Sequence, residues 1–368
     1  MHPCDAARPP EALAVDAGQP LSPRARLERL AARVVGVLPR SAKRLIAGEP
    51  IRRDGLELDL DAQVLIKLAE RDLQPLTGRT PAEARADLRE AVRPLEGPPI
   101  AVANVREMTI GGAAGPLRAR LYVPEEAQKL RDAGRGPLVV YFHGGGWSTG
   151  DLDTHDQPCR LLARTSGAQV LSVEYRLAPE HPFPAPIDDA TAAFRDAIAR
   201  ASELGVDPAR VAVAGDSAGG HLAAVTAQTC AGATPAPAFQ LLIYPVTDCA
   251  NVSRSRVTFA EGFILTKANM DWYEEQLLGA HGDRSDPRAS PLLAADLSGT
   301  APALVVTAGF DPLRDEGEAY ARRLREAGVS TLLRRHAGYV HGFIHALALG
   351  SGAREAIAEM GGVLRASL

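Results

Sequence analysis

Six residues, Gly215-Asp216-Ser217-Ala218-Gly219-Gly220, limit the architectures open to this chain more than any other stretch. Before them runs Arg210-Val211-Ala212-Val213-Ala214, short, apolar and β-prone; after them His221 to Gln228 is rich in helix formers. A strand, a sharp turn and a helix, with serine at the turn, is the setting in which G-x-S-x-G forms a nucleophile elbow. The flanking glycines have a steric purpose. The serine backbone is strained, and a side chain at Gly215 or Gly219 would strike the neighbouring strand or helix. The pattern alone is weak: with glycine near 7% of residues, a chain of this length matches by chance on the order of one time in ten. Gly146-Trp147-Ser148-Thr149-Gly150 also matches. It runs into Asp151-Leu152-Asp153-Thr154, a loop-type sequence rather than a helix start, so Ser217 is taken as the nucleophile over Ser148.

Around the elbow, apolar runs of strand length recur at 138–142, 169–173, 211–214, 240–244, 304–307 and 331–333, with helical segments between them. Alternating β and α units predict an α/β fold with a mainly parallel sheet and helices on both faces. Residues 105–110 and 117–123 alternate in polarity around Gly111, Gly112, Gly115 and Pro116, which predicts a hairpin with an extended loop at one sheet edge. Residues 125–137 read as a polar connector.

The remaining segments frame this core. Residues 1–20, with Pro3, Pro9, Pro10 and Pro20, read as a disordered tail. Residues 21–97 read as an N-terminal helical region without catalytic residues of its own. One helix starts at Ser22-Pro23, places Leu27, Leu30, Val34 and Val37 at helical spacing and ends at Pro39. A second covers Asp61 to Asp72, and a third opens on the capping box Thr80-Pro81-Ala82-Glu83 and runs to about Val92. Residues 98–245 and 301–368 then form the catalytic domain. The stretch 246–300 interrupts it, with one helix over Lys267–Leu278. An excursion of that length between strands is usually functional, and it is read as the second piece of a helical cap shared with the N-terminal helices.

Charge and composition exclude several classes. A net charge of −4 gives no reason for a nucleic-acid partner. No apolar run reaches the roughly 18 residues that span a bilayer, and Met1-His2-Pro3-Cys4-Asp5 lacks the order of a secretory signal. Cys4, Cys159, Cys230 and Cys249 are scattered without C-x-x-C spacing, which favours free thiols in a cytoplasmic protein. Arg24, Arg26, Arg29, Arg33, Arg40, Lys43 and Arg44 face Glu28 alone. That pattern is read as a solvated basic face, with weak contact to an anionic membrane surface as the alternative.

A serine hydroxyl needs a base, and the base needs an orienting group. In this architecture the acid and then the histidine follow the serine, on loops at the C-terminal edge of the sheet. Asp311 follows the strand 304–307 and His341 follows the strand that begins at Thr331. Asp311 could otherwise cap a turn before Pro312, and Asp315 is a rival acid inside the next helix. His345 lies four residues after His341, but without H-E-x-x-H and with no third ligand near in the sequence no metal is expected. A tetrahedral oxyanion needs aimed N–H donors. Ala218 supplies one, and the loop His143-Gly144-Gly145-Gly146-Trp147, directly after a strand, can supply others.

Taken together, His143 to Trp147, Tyr175-Arg176-Leu177-Ala178-Pro179-Glu180, Gly215 to Gly220, Asp311-Pro312-Leu313-Arg314-Asp315-Glu316 and His341-Gly342-Phe343 resemble, in order, the bacterial hormone-sensitive-lipase-like esterases of the α/β-hydrolase fold. The resemblance implies hydrolysis of a small-molecule carboxylic ester through an acyl-enzyme, without metal or organic cofactor. It implies Ser217 as nucleophile, His341 as base then acid, and Asp311 as orienting carboxylate. Gly145 and Gly146 would join Ala218 in the oxyanion hole, with Gly144 in the same run. His143, Asp216 and Glu316 would support the site by hydrogen bonding, and a homodimer would form through residues 329–335. Phe259, Phe263, Trp272 and Tyr273 are candidate walls of the acyl pocket, with core packing the equal alternative. Rival readings are a lipase on longer chains, an amidase or thioesterase, and a non-catalytic receptor on the same fold; the presence of both His341 and Asp311 argues against the last.

Overall fold

Continuous apolar runs suit strands that are covered on both faces; among the described residues eight strands join one sheet, and its two edge strands are the more exposed ones. The computed structural model describes residues 30–31, 34–69 and 75–368. The expected tail over 1–20, and the start of the first helix with Arg24, Arg26, Arg29 and Arg33, lie outside them.

The strands are β1 (Asn104–Gly112), β2 (Gly115–Val123), β3 (Gly136–Phe142), β4 (Gln169–Val173), β5 (Val206–Asp216), β6 (Gln240–Ile243), β7 (Ala303–Phe310) and β8 (Thr331–Val340), in spatial order β8-β7-β6-β5-β3-β4-β2-β1. Only β1 and β2 run antiparallel to their neighbours. The helices of five or more consecutive described residues are α1 (Arg40–Ala47), α2 (Leu60–Ala69), α3 (Pro81–Val92), α4 (Glu125–Asp132), α5 (Asp156–Ser166), α6 (Ala185–Ala199), α7 (Ala218–Thr229), α8 (Arg254–Thr258), α9 (Lys267–Leu278), α10 (Arg314–Glu326) and α11 (Gly352–Ser367). Every residue of β3 is buried. Leu138, Val140 and Phe142 pack with α6, α7 and α10, while Val139 and Tyr141 pack with α5 and α11. The pleat thus splits one apolar run between two cores.

Several local expectations need correction. The β1–β2 hairpin has no extended loop: pairing continues to Gly112 and Gly115, so only Ala113 and Ala114 cross over. The polar connector holds α4, and the helical N-terminal region is broken by a small hairpin pairing Arg52-Arg53 with Leu56-Glu57. Asp54 and Gly55, at φ 55° and 75°, make its turn, the Asp-Gly use of a mirror-image turn. The Thr80 capping box forms as read, and α9 covers the expected residues, but the short α8 precedes it.

The N-terminal segment and the 246–300 insertion meet over the C-terminal ends of β7 and β8. Leu58 and Ile66 pack with Phe259 and Phe263 against Phe310 and Val340. Asp54 adds polar ties, accepting from Arg254 and, at 2.6 Å, from Arg314. Among the described residues no helix is long and apolar enough to cross a membrane.

Candidate active site

Ser217 joins β5 to α7 with φ 53° and ψ −119°, a conformation costly for a residue with a side chain. The surroundings hold it there: its N–H donates to Ile243 O at 2.8 Å and its carbonyl accepts from His221 N at 3.0 Å. The glycine requirement is steric. A Cβ on Gly219 would lie 1.9 Å from Phe142 O, and one on Gly215 would lie 2.3 Å from the Gly219 carbonyl.

The loops after β7 and β8 bring two further groups to this serine. His341 Nε2 is 3.0 Å from Ser217 Oγ, and Nδ1 is 2.8 Å from Asp311 Oδ2. Since a carboxylate only accepts, Nδ1 carries the proton and Nε2 turns its lone pair to the serine. Asp311 is fully buried, and its other oxygen accepts from Leu313 N at 2.8 Å, so the carboxylate has little freedom. The Tyr244 ring packs on His341 with centroids 4.6 Å apart.

The rival residues lie elsewhere. Ser148 Oγ is buried and has no hydrogen-bond partner among the described residues. Asp315 accepts from Ser255 N and from Arg314 Nε, both at 2.8 Å. His345 does not pair with His341; its ring lies edge-on to His155, centroids 4.7 Å apart.

The glycine loop is arranged differently from the expectation at one position. Gly144 N donates to Asp216 Oδ1 at 2.9 Å, so it has no proton left for an oxyanion. Among the described residues nothing accepts from the N–H of Gly145, Gly146 or Ala218. Gly145 and Gly146 have φ of 115° and 55°, which favour glycine. A Cβ on Gly146 would lie 2.1 Å from the Tyr273 ring. Tyr273 therefore lies directly on the glycine loop, its hydroxyl 3.3 Å from Thr149 Oγ1, with Trp272 edge-on to it at 5.2 Å. Phe259 is fully buried and Phe263 is 4% exposed, and both pack with Leu58, Ile66, Phe310 and Val340.

The supporting residues form two buried networks. Asp216 also accepts from Tyr141 Oη at 2.8 Å, which couples the elbow to the glycine loop and to β3. Burial alone would raise its carboxyl; His155 at 3.1 Å holds it well below the usual carboxylate range. His143 donates from Nδ1 to Gly144 O at 2.8 Å and stacks on Tyr175, whose hydroxyl returns a bond to His143 O. Burial pushes the His143 imidazole down to about 4. Glu316 accepts from Thr247 N at 2.8 Å and from Arg256 Nε at 2.8 Å. Burial raises its carboxyl and Arg256 opposes the rise. Arg256 also reaches Glu274 in α9, so Glu316 ties the insertion to the sheet rather than bracing Asp311 alone.

A family model for the alpha/beta hydrolase fold matches residues 139–345, a span that contains the serine, the acid, the histidine and the glycine loop. The chain belongs to the α/β-hydrolase family. Carboxylic ester hydrolase LipN of Mycobacterium tuberculosis is 44% identical to it over 348 residues, covering 91% of this chain and 90% of that protein. Ethyl acetate hydrolase of Pseudomonas putida is 42% identical over 62% of this chain and 71% of its own length. The solved structure of the ester hydrolase EH1AB1 from the metagenome of Lake Arreo, in complex with a bipyridine phosphonate derivative, superposes with a TM-score of 0.80 at 46% identity, covering 84% of this chain and 98% of that one.

Two contributors to the hydrolase site were not legible in the sequence. Arg85 of α3 donates to Ser148 O at 2.8 Å and Ala178 O at 3.1 Å and pairs with Glu180, so an N-terminal helix grips the glycine loop from outside. Neighbouring Arg89 pairs with Asp151. His155 opens α5 beside Asp216. Both are ordinary polar residues in sequence, and only long-range packing gives them these partners.

Proposed function

We propose that this α/β hydrolase is a serine carboxylesterase acting on short- to medium-chain carboxylic esters, with Ser217 as nucleophile, His341 as general base then acid, and Asp311 as orienting carboxylate. The unbroken chain from Ser217 Oγ through His341 to Asp311, at 3.0 and 2.8 Å, carries the reading. As Ser217 Oγ attacks the ester carbonyl, its proton passes to His341 Nε2 and the carbonyl oxygen becomes an oxyanion. The free N–H groups of Gly145, Gly146 and Ala218 suit that charge; one such donor is typically worth about 100- to 1,000-fold in kcat. The intermediate collapses, the alcohol leaves with the proton from His341, and Ser217 keeps the acyl group. Water then gives its proton to His341, attacks the acyl carbon, and releases the acid while Ser217 regains its proton.

The N-terminal helices and the insertion act as the cap. Tyr273, seated on Gly146, narrows the acyl side, which fits small acyl groups such as that of the relative named an ethyl acetate hydrolase. Three buried cysteines are free thiols, which fits a reducing, cytoplasmic setting. Exposed Val34, Val37 and Leu45 beside Arg40 and Arg44 support weak membrane contact as the second reading; esterase assays over a chain-length series with and without residues 1–47 test it, and unchanged long-chain activity in the shortened chain would sink it.

The primary test is hydrolysis of a chromogenic ester panel. Ser217→Ala should lose at least about 10⁴-fold in kcat, whereas Ser148→Ala should stay within a few-fold of the parent. Equal loss in both would refute the assignment, and no turnover by the parent would favour a receptor.

A further inference from the structure

One side chain of the insertion touches the glycine loop at two points. The Tyr273 ring covers Gly146 so closely that a Cβ there would lie 2.1 Å from it, and the Tyr273 hydroxyl is 3.3 Å from Thr149 Oγ1. Thr149 is fully buried at the far end of the same turn, where a Cβ on Gly145 would lie 2.8 Å from its Oγ1.

The protons fix the direction of these contacts. Gly145 O accepts from Ser148 N at 3.1 Å, from Thr149 N at 2.8 Å and from Thr149 Oγ1 at 2.8 Å. A carbonyl only accepts, so the one hydroxyl proton of Thr149 goes to Gly145 O, and Tyr273 Oη donates to Thr149 Oγ1. Tyr273 can do so throughout the working range, because burial raises its phenol above the ordinary value and it keeps its proton. The carbonyl of Gly145 and the N–H of Gly146 belong to one planar trans peptide and point in opposite directions. With glycine on either side, that peptide would otherwise turn freely. The three donors that hold the carbonyl thus also aim the N–H, whose proton no described residue accepts.

We propose, on the serine-esterase reading given above, that Thr149 and Tyr273 are positioning residues for the oxyanion. Thr149 holds the Gly145–Gly146 peptide with its N–H toward the developing charge, and Tyr273 couples that peptide to α9. The aim of one oxyanion donor is thereby set from the insertion, by a residue 124 positions beyond Thr149 in the sequence. The 2.8 Å bond from Thr149 is the stronger hold. The 3.3 Å contact is longer than the usual hydroxyl pair, about 2.8 Å, so its share is smaller.

Hydrolysis of a short-chain ester by the full-length protein tests this. Thr149→Val removes the hydroxyl at nearly constant shape, and Gly145 O keeps its two N–H donors, so the fold should stand. Its kcat should fall about tenfold, a fraction of the roughly 100- to 1,000-fold that loss of a whole donor costs. KM should stay within about twofold, because the donor acts on charge that forms only in the transition state. Thr149→Ser should recover most of the loss. A trifluoromethyl ketone, which Ser217 would convert to an oxyanion adduct, should bind Thr149→Val about tenfold more weakly. Tyr273→Phe keeps the ring and should cost about threefold in kcat and in ketone affinity. Added to Thr149→Val it should cost nothing more, because it acts through that hydroxyl. If Thr149→Val fails to fold, Tyr273→Phe decides alone, by that threefold loss at constant KM. Unchanged kcat in the folded variants, a loss confined to KM, or an undiminished effect of Tyr273→Phe beside Thr149→Val would overturn the proposal. Ser217→Ala is the separate control: if it hydrolyses the ester as fast as the parent, the esterase reading itself falls, and the role of the pair with it.

Discussion

His221 shows how a single buried side chain makes this fold sensitive to acid. It accepts from Trp147 Nε1 at 3.1 Å through Nδ1 and donates through Nε2 to Arg288 O at 2.9 Å, so both ring nitrogens are used in the neutral form. Burial pushes its pKa from 6.5 down to about 4. Between those values the unfolded chain binds a proton that the folded chain refuses. The neutral ring's contribution is therefore complete above about pH 6.5 and lost as pH falls toward 4, by roughly 3 kcal/mol. Urea unfolding from pH 7.5 to 4.5 should show a falling midpoint, and His221→Gln, which can keep one donor and one acceptor, should flatten that fall. An unchanged slope in the variant would rule the histidine out as the source. None of this was legible in the sequence, where His221 is simply the residue after the elbow. The meeting of Ser217, Asp311 and His341 was legible, because the chemistry proposed for them imposes both their order and their places after strands.

At the scale of elements, α3 shows where local reading ends. The Thr80 capping box fixes where the helix begins, because capping involves residues three apart. The hold of Arg85 on Ser148 O, 63 residues away, depends on how the helix docks. Replacing Arg85 by alanine should loosen the glycine loop and lower kcat about tenfold, since small displacements of oxyanion donors are costly. KM should change much less. Arg85→Lys should recover only part of the loss, because an ammonium can meet Glu180 but cannot fork between two carbonyls. Steady-state kinetics with a short-chain ester checks the split; a rise in KM alone would mean α3 shapes binding instead. The strands were readable for the opposite reason: buried parallel strands announce themselves as apolar runs. The Asp54-Gly55 hairpin carried a turn signal too, but its two-residue arms were too short to register as alternation.

At the scale of the whole molecule, β8 is an edge strand paired on one side only, with Leu332 55% exposed. An open edge with an apolar residue invites pairing, which supports the homodimer implied by the family resemblance. Light scattering should give twice the chain mass, and Leu332→Asp should shift it toward the monomer; a parent that is already monomeric would end the idea. The same topology orders events in time. Chains fold largely from the N-terminus as they are made, yet Ser217 precedes His341 by 124 residues. Likewise Leu58 and Ile66 must await Phe259, Phe310 and Val340 before they can be covered. On the proposed assignment, a growing chain therefore carries Ser217 well before the His341 that would deprotonate it. On the same assignment, ester hydrolysis waits until His341 has been made and docked, and until Phe259, Phe310 and Val340 follow, Leu58 and Ile66 keep apolar surface open to chaperones.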